Sequence, residues 1–217
     1  MSDFDQARKQ MVDCQIRPAD VTDRRLLAAF ETVPRHAFTP RSRLASAYGD
    51  CEVATSEGRR MMRPRDLAKL IQAVDVKDSD VVLNIASGRG YSAAVMARMA
   101  ETVIALENDE DGVARATAIL SDCGADNAVS ISGDIKAGAA DQGPFDVIFV
   151  DGAVAEVPQA WFDQLAMGGR LAVVVRKGPV GKATVYTRGP AGIGERVVFD
   201  ANASIIPGFE LVSAFQL

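Results

Sequence analysis

An α/β fold built on a mostly parallel, doubly wound sheet is predicted by three observations. From residue 80 onward, short apolar runs alternate with helical patterns. The runs are apolar throughout, as strands buried on both faces are. Their carboxyl ends carry glycines or acids. Strand–helix repetition at this spacing implies parallel strands joined by helical crossovers. Those crossovers line the carboxyl ends of the strands along one edge, where ligands bind in such sheets.

The first predicted strand, VVLNIA (81–86), runs into Ser-Gly-x-Gly, and YSAAVMARMA (91–100) reads as a helix. TVIALE (102–107) is the second strand; DEDGVARATAILSDCG (109–124) is a helix with acids in its first turn, which suits the helix dipole. AVSISGD (128–134) and FDVIFVD (145–151) are the third and fourth strands. VPQAWFDQLA (157–166) is a helix whose Trp161 and Phe162 pack onto the sheet, and GRLAVVVR (169–176) is the fifth strand. KATVYTRG (182–189) and ERVVFDA (195–201) alternate as a hairpin, and FELVSAF (209–215) is a candidate last strand.

The first 75 residues differ. Helices are predicted over 4–16, 21–32 and 64–74, the second capped by Thr22 or Asp23 and the third opening on Pro64 in its first turn. Loops or short extended pieces lie between them. The expected organisation is a helical, substrate-side extension over 1–75 and a cofactor-binding α/β domain over 76–217, together one compact unit.

Composition narrows the function. With 217 residues, 48% of them apolar and a net charge of −5, the chain builds a sizeable core and is too acidic to coat nucleic acid. No apolar run approaches the roughly 20 residues of a membrane span, and the opening MSDFDQARKQ lacks a signal peptide's apolar stretch. Cys14, Cys51 and Cys123 have no CxxC spacing, which fits a reducing cytoplasm and no zinc site. His36 is the only histidine, so a histidine-dependent triad or metal centre is not expected; it sits in a turn and is read as structural.

The strand ends suggest a cofactor. The loop NIASGRGYS places Gly88 and Gly90 where a tight turn lets backbone approach a ligand. Glu107 ends the second strand and is placed to accept both hydroxyls of a ribose. Gly133 and Asp134 end the third, where an acid can receive an adenine amino group, and Asp151 ends the fourth. The loop lacks the third, helix-packing glycine of a dinucleotide fingerprint. A sulfonium cofactor carries no phosphate and tolerates neighbouring acids. The expectation is a Rossmann-like S-adenosyl-L-methionine site, with S-adenosyl-L-homocysteine as product.

Several pieces, in order, resemble the protein-L-isoaspartate O-methyltransferase family over nearly the whole chain: MVDCQI (11–16), LLAAFETVPRHAFTP (26–40), AYGD (47–50), VLNIASGRGYSAAVMA (82–97), PFDVIFV (144–150) and VPQAWFDQLAMGGRL (157–171). The resemblance implies a methyltransferase fold with an N-terminal helical part. It also implies methylation of the free α-carboxylate of L-isoaspartyl residues in damaged proteins, the start of their repair. On it, Asn84, Ala86, Ser87, Gly88 and Gly90 fall on the cofactor loop, Glu107 on the ribose-binding acid and Asp134 on an adenine-side acid.

Two departures stand out. The loop's usual acid is Asn84, which brings no charge to offset the cofactor's ammonium, and its first glycine is Ala86, whose methyl is expected to require a negative φ. The family's Gly-x-Thr-Ile-Ser-x-Pro segment is here Gly58-Arg59-Arg60-Met61-Met62-Arg63-Pro64, so the hydroxyls beside the acceptor carboxylate are gone. Thr55 and Ser56 are nearby substitutes if the register slips. Three readings stay open. The isoaspartyl reaction is kept; or the arginines select another anionic or small-molecule acceptor, with Met61 and Met62 as an apolar wall and Asp151 as a base; or the chain is a lapsed, cofactor-binding regulator. The plain alternatives are that the arginines face solvent and that Asp151 is solvated or caps a helix.

Overall fold

The computed structural model describes residues 3–55 and 58–211. Seven strands form one sheet in the order β5-β4-β3-β6-β7-β8-β9. These are β3 (Val81–Ile85), β4 (Thr102–Glu107), β5 (Ala128–Ser132), β6 (Phe145–Val154), β7 (Leu165–Val175), β8 (Gly181–Gly189) and β9 (Gly192–Ala201). The first five are parallel and the last two add an antiparallel hairpin. The chain winds outward from β3 through β4 to β5, then returns to the other side of β3 as β6. That reversal opens a crevice at the carboxyl ends of β3, β4 and β6.

The central strands β3, β4, β6 and β7 are largely buried on both faces, and their residues alternate between two apolar clusters. Val82, Val103, Val147, Phe149, Ala172 and Val174 face one; Leu83, Ile85, Ile104, Leu106, Ile148, Val150, Leu171 and Val173 face the other. The first cluster also takes in α1 (Asp3–Met11), α2 (Arg24–Thr32), α3 (Pro64–Val74), α4 (Tyr91–Ala97) and Leu120 of α5 (Glu110–Asp122). The N-terminal helices and the sheet therefore share one core.

Local chemistry accounts for the helices. Asp23 caps α2 by accepting from the amides of Arg25 and Leu26. Pro64 opens α3, which buries Leu67, Ala68, Leu70, Ile71 and Val74 at helical spacing. The helix expected over 4–16 is α-helical only to Met11 and widens into a π-turn over Val12–Ile16. The helix expected over 157–166 is short, α6 (Gln159–Asp163), because β7 begins at Leu165. Trp161 is buried and donates to the Ile135 carbonyl at 2.9 Å, and Phe162 meets Tyr186 edge-on. No strand is formed by 209–211; the rest of the predicted last strand lies outside the described residues.

Two further features position the site. A small hairpin, β1 (Val53–Ala54) with β2 (Arg60–Met61), folds the arginine-rich segment back over the sheet edge. And β6 runs past its predicted end with an irregularity: between Phe149 and Ala153 it advances four residues while β7 advances two, from Ala172 to Val174. This bulge holds Val150, Asp151 and Gly152. Bulges bend a strand and re-aim its side chains.

Candidate functional site

The loop after β3 has positive φ at alternate positions: 56° at Ala86, 58° at Gly88 and 88° at Gly90. The expectation of a negative φ at Ala86 is thus corrected. The loop keeps the left-handed turn of a glycine, and Ala86 carries the steric penalty, on the order of 1–2 kcal/mol. Ser87 is buried, and its hydroxyl has no hydrogen-bond partner among the described residues.

Glu107, at the tip of β4, is 3% exposed and already fully engaged. Its Oε1 accepts from Arg59 Nε at 2.9 Å and from the Gly88 amide at 2.7 Å. Its Oε2 accepts from Arg59 Nη2 at 2.9 Å, the Asn108 amide at 3.2 Å and Arg59 Nε at 3.3 Å. Arg59 Nη2 also reaches Asn108 Oδ1 at 3.1 Å. A carboxylate offers about four lone-pair directions, so two ribose hydroxyls find none free. Arg59, placed on the acceptor side by the sequence, lies against the Glu107 carboxylate in the groove under the hairpin.

The arginines of the segment, and Arg65 just after it, thus have different environments. Arg60 is exposed on β2, and Arg65 lies near Asp50 and Asp66. Arg63 precedes α3, with its Nε buried and without a partner among the described residues. Gly58, at φ 76°, forms the hairpin turn against Pro207. Met61 and Met62 are core residues that also edge the groove. The Thr55 hydroxyl donates to the Arg59 carbonyl at the edge of the groove, and Ser56 lies outside the described residues.

The groove under the hairpin is lined by Met62, Ala86, Ser87, Gly88, Tyr91 and Asp151 among others, and encloses about 10 Å³. That is room for about one water. A larger cavity of about 300 Å³ lies farther along the same edge, beside Lys136, Glu156, Pro158 and Phe209, but includes no residue of the glycine loop. Gly133 donates to the Glu107 carbonyl at 2.8 Å, and Asp134 is exposed, accepting from the Lys136 amide at 2.9 Å.

Asp151 is half-buried in the groove wall and caps no helix. Its Oδ2 lies 2.5 Å from Ser92 Oγ, which lies 2.9 Å from Asn84 Oδ1. Asn84 is fully buried, and its Nδ2 donates to the Phe149 carbonyl at 3.3 Å. Burial pushes the Asp151 carboxyl up to about 7, with the Ser92 bond and the Arg35 charge opposing the shift.

Arg35, Tyr91 and Ser92 were not singled out in the sequence. Arg35 is fully buried and donates to the carbonyls of Ala47 at 2.8 Å and Met62 at 2.7 Å. It stacks over Tyr91 at 4.8 Å, fastening the rewritten segment to the core. The Val-Pro-Arg turn was the only trace of that role. His36 is structural: Nδ1 lies 2.7 Å from the Tyr48 hydroxyl, and the ring stacks on Phe4.

The sequence pattern of the family described as "Protein-L-isoaspartate(D-aspartate) O-methyltransferase" matches residues 6–192. The chain belongs to this family. A relative named protein-L-isoaspartate O-methyltransferase from Koribacter versatilis is 35% identical over 193 residues, 89% of this chain and 86% of its own length. One of the same name from Roseiflexus castenholzii is 38% identical over 173 residues, 80% of this chain and 79% of its own. A solved protein-L-isoaspartate O-methyltransferase superposes with a TM-score of 0.81 at 25% identity, over 94% of this chain and 67% of its own. A putative one from Plasmodium falciparum, in complex with S-adenosyl-L-homocysteine, shares the fold with a TM-score of 0.76 at 20% identity, over 94% and 98%. In the family's frame, the altered segment brings Arg59 onto the carboxylate expected to hold the cofactor's ribose.

Proposed function

We propose that this protein transfers a methyl group from S-adenosyl-L-methionine to the free α-carboxylate of L-isoaspartyl residues in damaged proteins. The observation that carries the reading is the family match across residues 6–192. The glycine loop and the Glu107 tip, meeting at the sheet's switch point, support it. When bound, the cofactor supplies an electrophilic methyl on a sulfonium. An ionised acceptor oxygen needs no base to attack it, so the protein's task is positioning.

On this reading the loop over 84–90 lies against the cofactor, Glu107 takes the ribose, and Gly133 and Asp134 border the adenine. The polar set fits such a ligand: a carboxylate at a strand tip, a buried hydroxyl on Ser87 without a partner among the described residues, and loop backbone at positive φ. The space does not fit until Arg59 withdraws, since ligand pockets are typically about 300–1,000 Å³. Arg59 is therefore an internal competitor of the cofactor. Once displaced at the mouth of the groove, it joins Arg60 in a positive rim suited to an anionic acceptor. Three free cysteines accord with a reducing cytoplasm, and no helix among the described residues is long and apolar enough to cross a membrane.

The Arg59–Glu107 pair also favours a second reading, a cofactor-binding regulator whose reaction has lapsed. Transfer of labelled methyl to an isoaspartyl peptide, with the aspartyl peptide as control, separates them. Selective transfer is expected. No transfer with cofactor binding intact leaves the regulator or an enzyme with a different acceptor.

A further inference from the structure

We propose that Asp151 is the carboxylate that receives the ammonium of the cofactor's amino-acid end, the role that the neutral Asn84 cannot fill. The proposal rests on the cofactor reading above and names a residue within it. Strand order provides the direction. The tip of β4 lies between β5 on one side and β3 and β6 on the other. A ligand with its ribose at Glu107 and its base toward Asp134 extends its other end over the glycine loop, toward Asn84 and Asp151. That end carries an ammonium beside its own carboxylate and, in the methyl donor, a sulfonium.

Asp151 is the only acid among the described residues lining the groove, against Arg59, Arg60 and Arg89. A cation entering there needs a counter-charge, and Asn84 has none: its oxygen lies beside the Ser92 hydroxyl and its amide donates to Phe149. Ser92 joins the two side chains but has a single proton. Its hydroxyl donates to Asp151 Oδ2 at 2.5 Å, the stronger acceptor, and lies 2.9 Å from Asn84 Oδ1, so it ties the Asp151 carboxyl to the strand that carries the glycine loop. The other Asp151 oxygen takes no hydrogen bond from the described residues. A cation at that oxygen favours the carboxylate.

The backbone aims the residue. The two extra residues of β6 fall around Asp151, and Gly152, at φ 150°, allows the bend. A Cβ on Gly152 would come within 2.8 Å of Ile206 Cγ1, so the C-terminal segment closes behind the bulge. A regular strand would place position 151 in the ladder with β7.

The experiment compares two ligands by calorimetry in wild type and in Asp151→Asn, each with and without Arg59→Ala. S-Adenosyl-L-homocysteine has the amino-acid end; 5′-deoxy-5′-methylthioadenosine lacks it. Asp151→Asn is expected to weaken the first by about tenfold or more and leave the second unchanged. Asn84→Asp in the Asp151→Asn background is expected to restore much of the loss by returning the charge across Ser92. Equal effects on both ligands, or no effect on either, overturn the proposal. So does normal binding with lost methyl transfer, which would make Asp151 a base toward the acceptor. If neither ligand binds even after Arg59→Ala, the cofactor reading itself fails and this proposal falls with it.

Discussion

Replacing Arg59 by alanine releases the carboxylate of Glu107, and the two consequences have opposite signs. The pair is held by contacts of 2.9, 2.9 and 3.3 Å between side chains only 8% and 4% exposed. Removing one partner of such a buried pair costs about 3–5 kcal/mol. Glu107 keeps the amides of Gly88 and Asn108, so the lower figure, about 3 kcal/mol, applies. For a chain of this length each kcal/mol is worth roughly 2–4 °C, so the unliganded variant should melt about 6–12 °C lower. The cofactor, in contrast, no longer has to displace a guanidinium. If one to two charge-assisted bonds are spared, S-adenosyl-L-homocysteine should bind about ten- to a hundredfold tighter. Calorimetric titration and thermal unfolding, with and without ligand, measure both. A lower melting temperature with unchanged or weaker affinity would refute the competition and make Arg59 a structural or ligand-contacting residue.

Three other outcomes are expected. Ala86→Gly should leave stability within about 1 kcal/mol, because relief of the left-handed strain offsets the lost methyl and the added chain entropy; the same change at Ala94, buried in α4, should cost about 2 kcal/mol, and equal losses in chemical denaturation would show that position 86 is unstrained. Gly152→Ala should lower stability by about 1–3 kcal/mol and weaken cofactor binding together, since the 2.8 Å approach to Ile206 forces the bulge to move. Asp151, its carboxyl raised to about 7 within reach of Ser92, Arg35, Glu107 and Glu52, keeps a proton in the fold that the unfolded chain releases near pH 4. Its contribution to stability is therefore present at low pH and lost as pH rises from about 4 to about 7, by an amount on the order of a few kcal/mol. Asp151→Asn should thus stabilise the unliganded protein more at pH 8 than at pH 5, and a difference that does not change with pH would contradict a protonated Asp151.

The elements were legible in the sequence wherever the cause is local. Apolar runs at 81–86, 102–107 and 145–151 are strands because they need burial on both faces. Residues 64–74 are a helix because Pro64 starts it and its apolar residues recur at helical spacing. The glycine loop and the strand-end acids Glu107 and Asp134 followed from strand ends meeting at one edge, whereas Asp151, expected at such an end, sits in a bulge within β6. The family was visible too, since its motifs are short and contiguous.

The relations within the site were not legible, because they depend on side chains distant in sequence. Arg59 and Glu107 are 48 positions apart, and only the β1–β2 hairpin, folded over the β4 tip, brings guanidinium and carboxylate into contact. Ser92 and Asp151 are 59 apart, joined by the pairing of β3 with β6 and by a bulge that no period-two pattern reveals. The φ at Ala86 is likewise imposed by the turn between β3 and α4 rather than by the residue. The sequence by itself determined the fold, the family and the edge at which the glycine loop and the acids Glu107 and Asp134 meet, because strand and helix periods and contiguous motifs are properties of the local chain. Only the tertiary structure decided which charges neutralise one another there, because that depends on distance and burial across the fold.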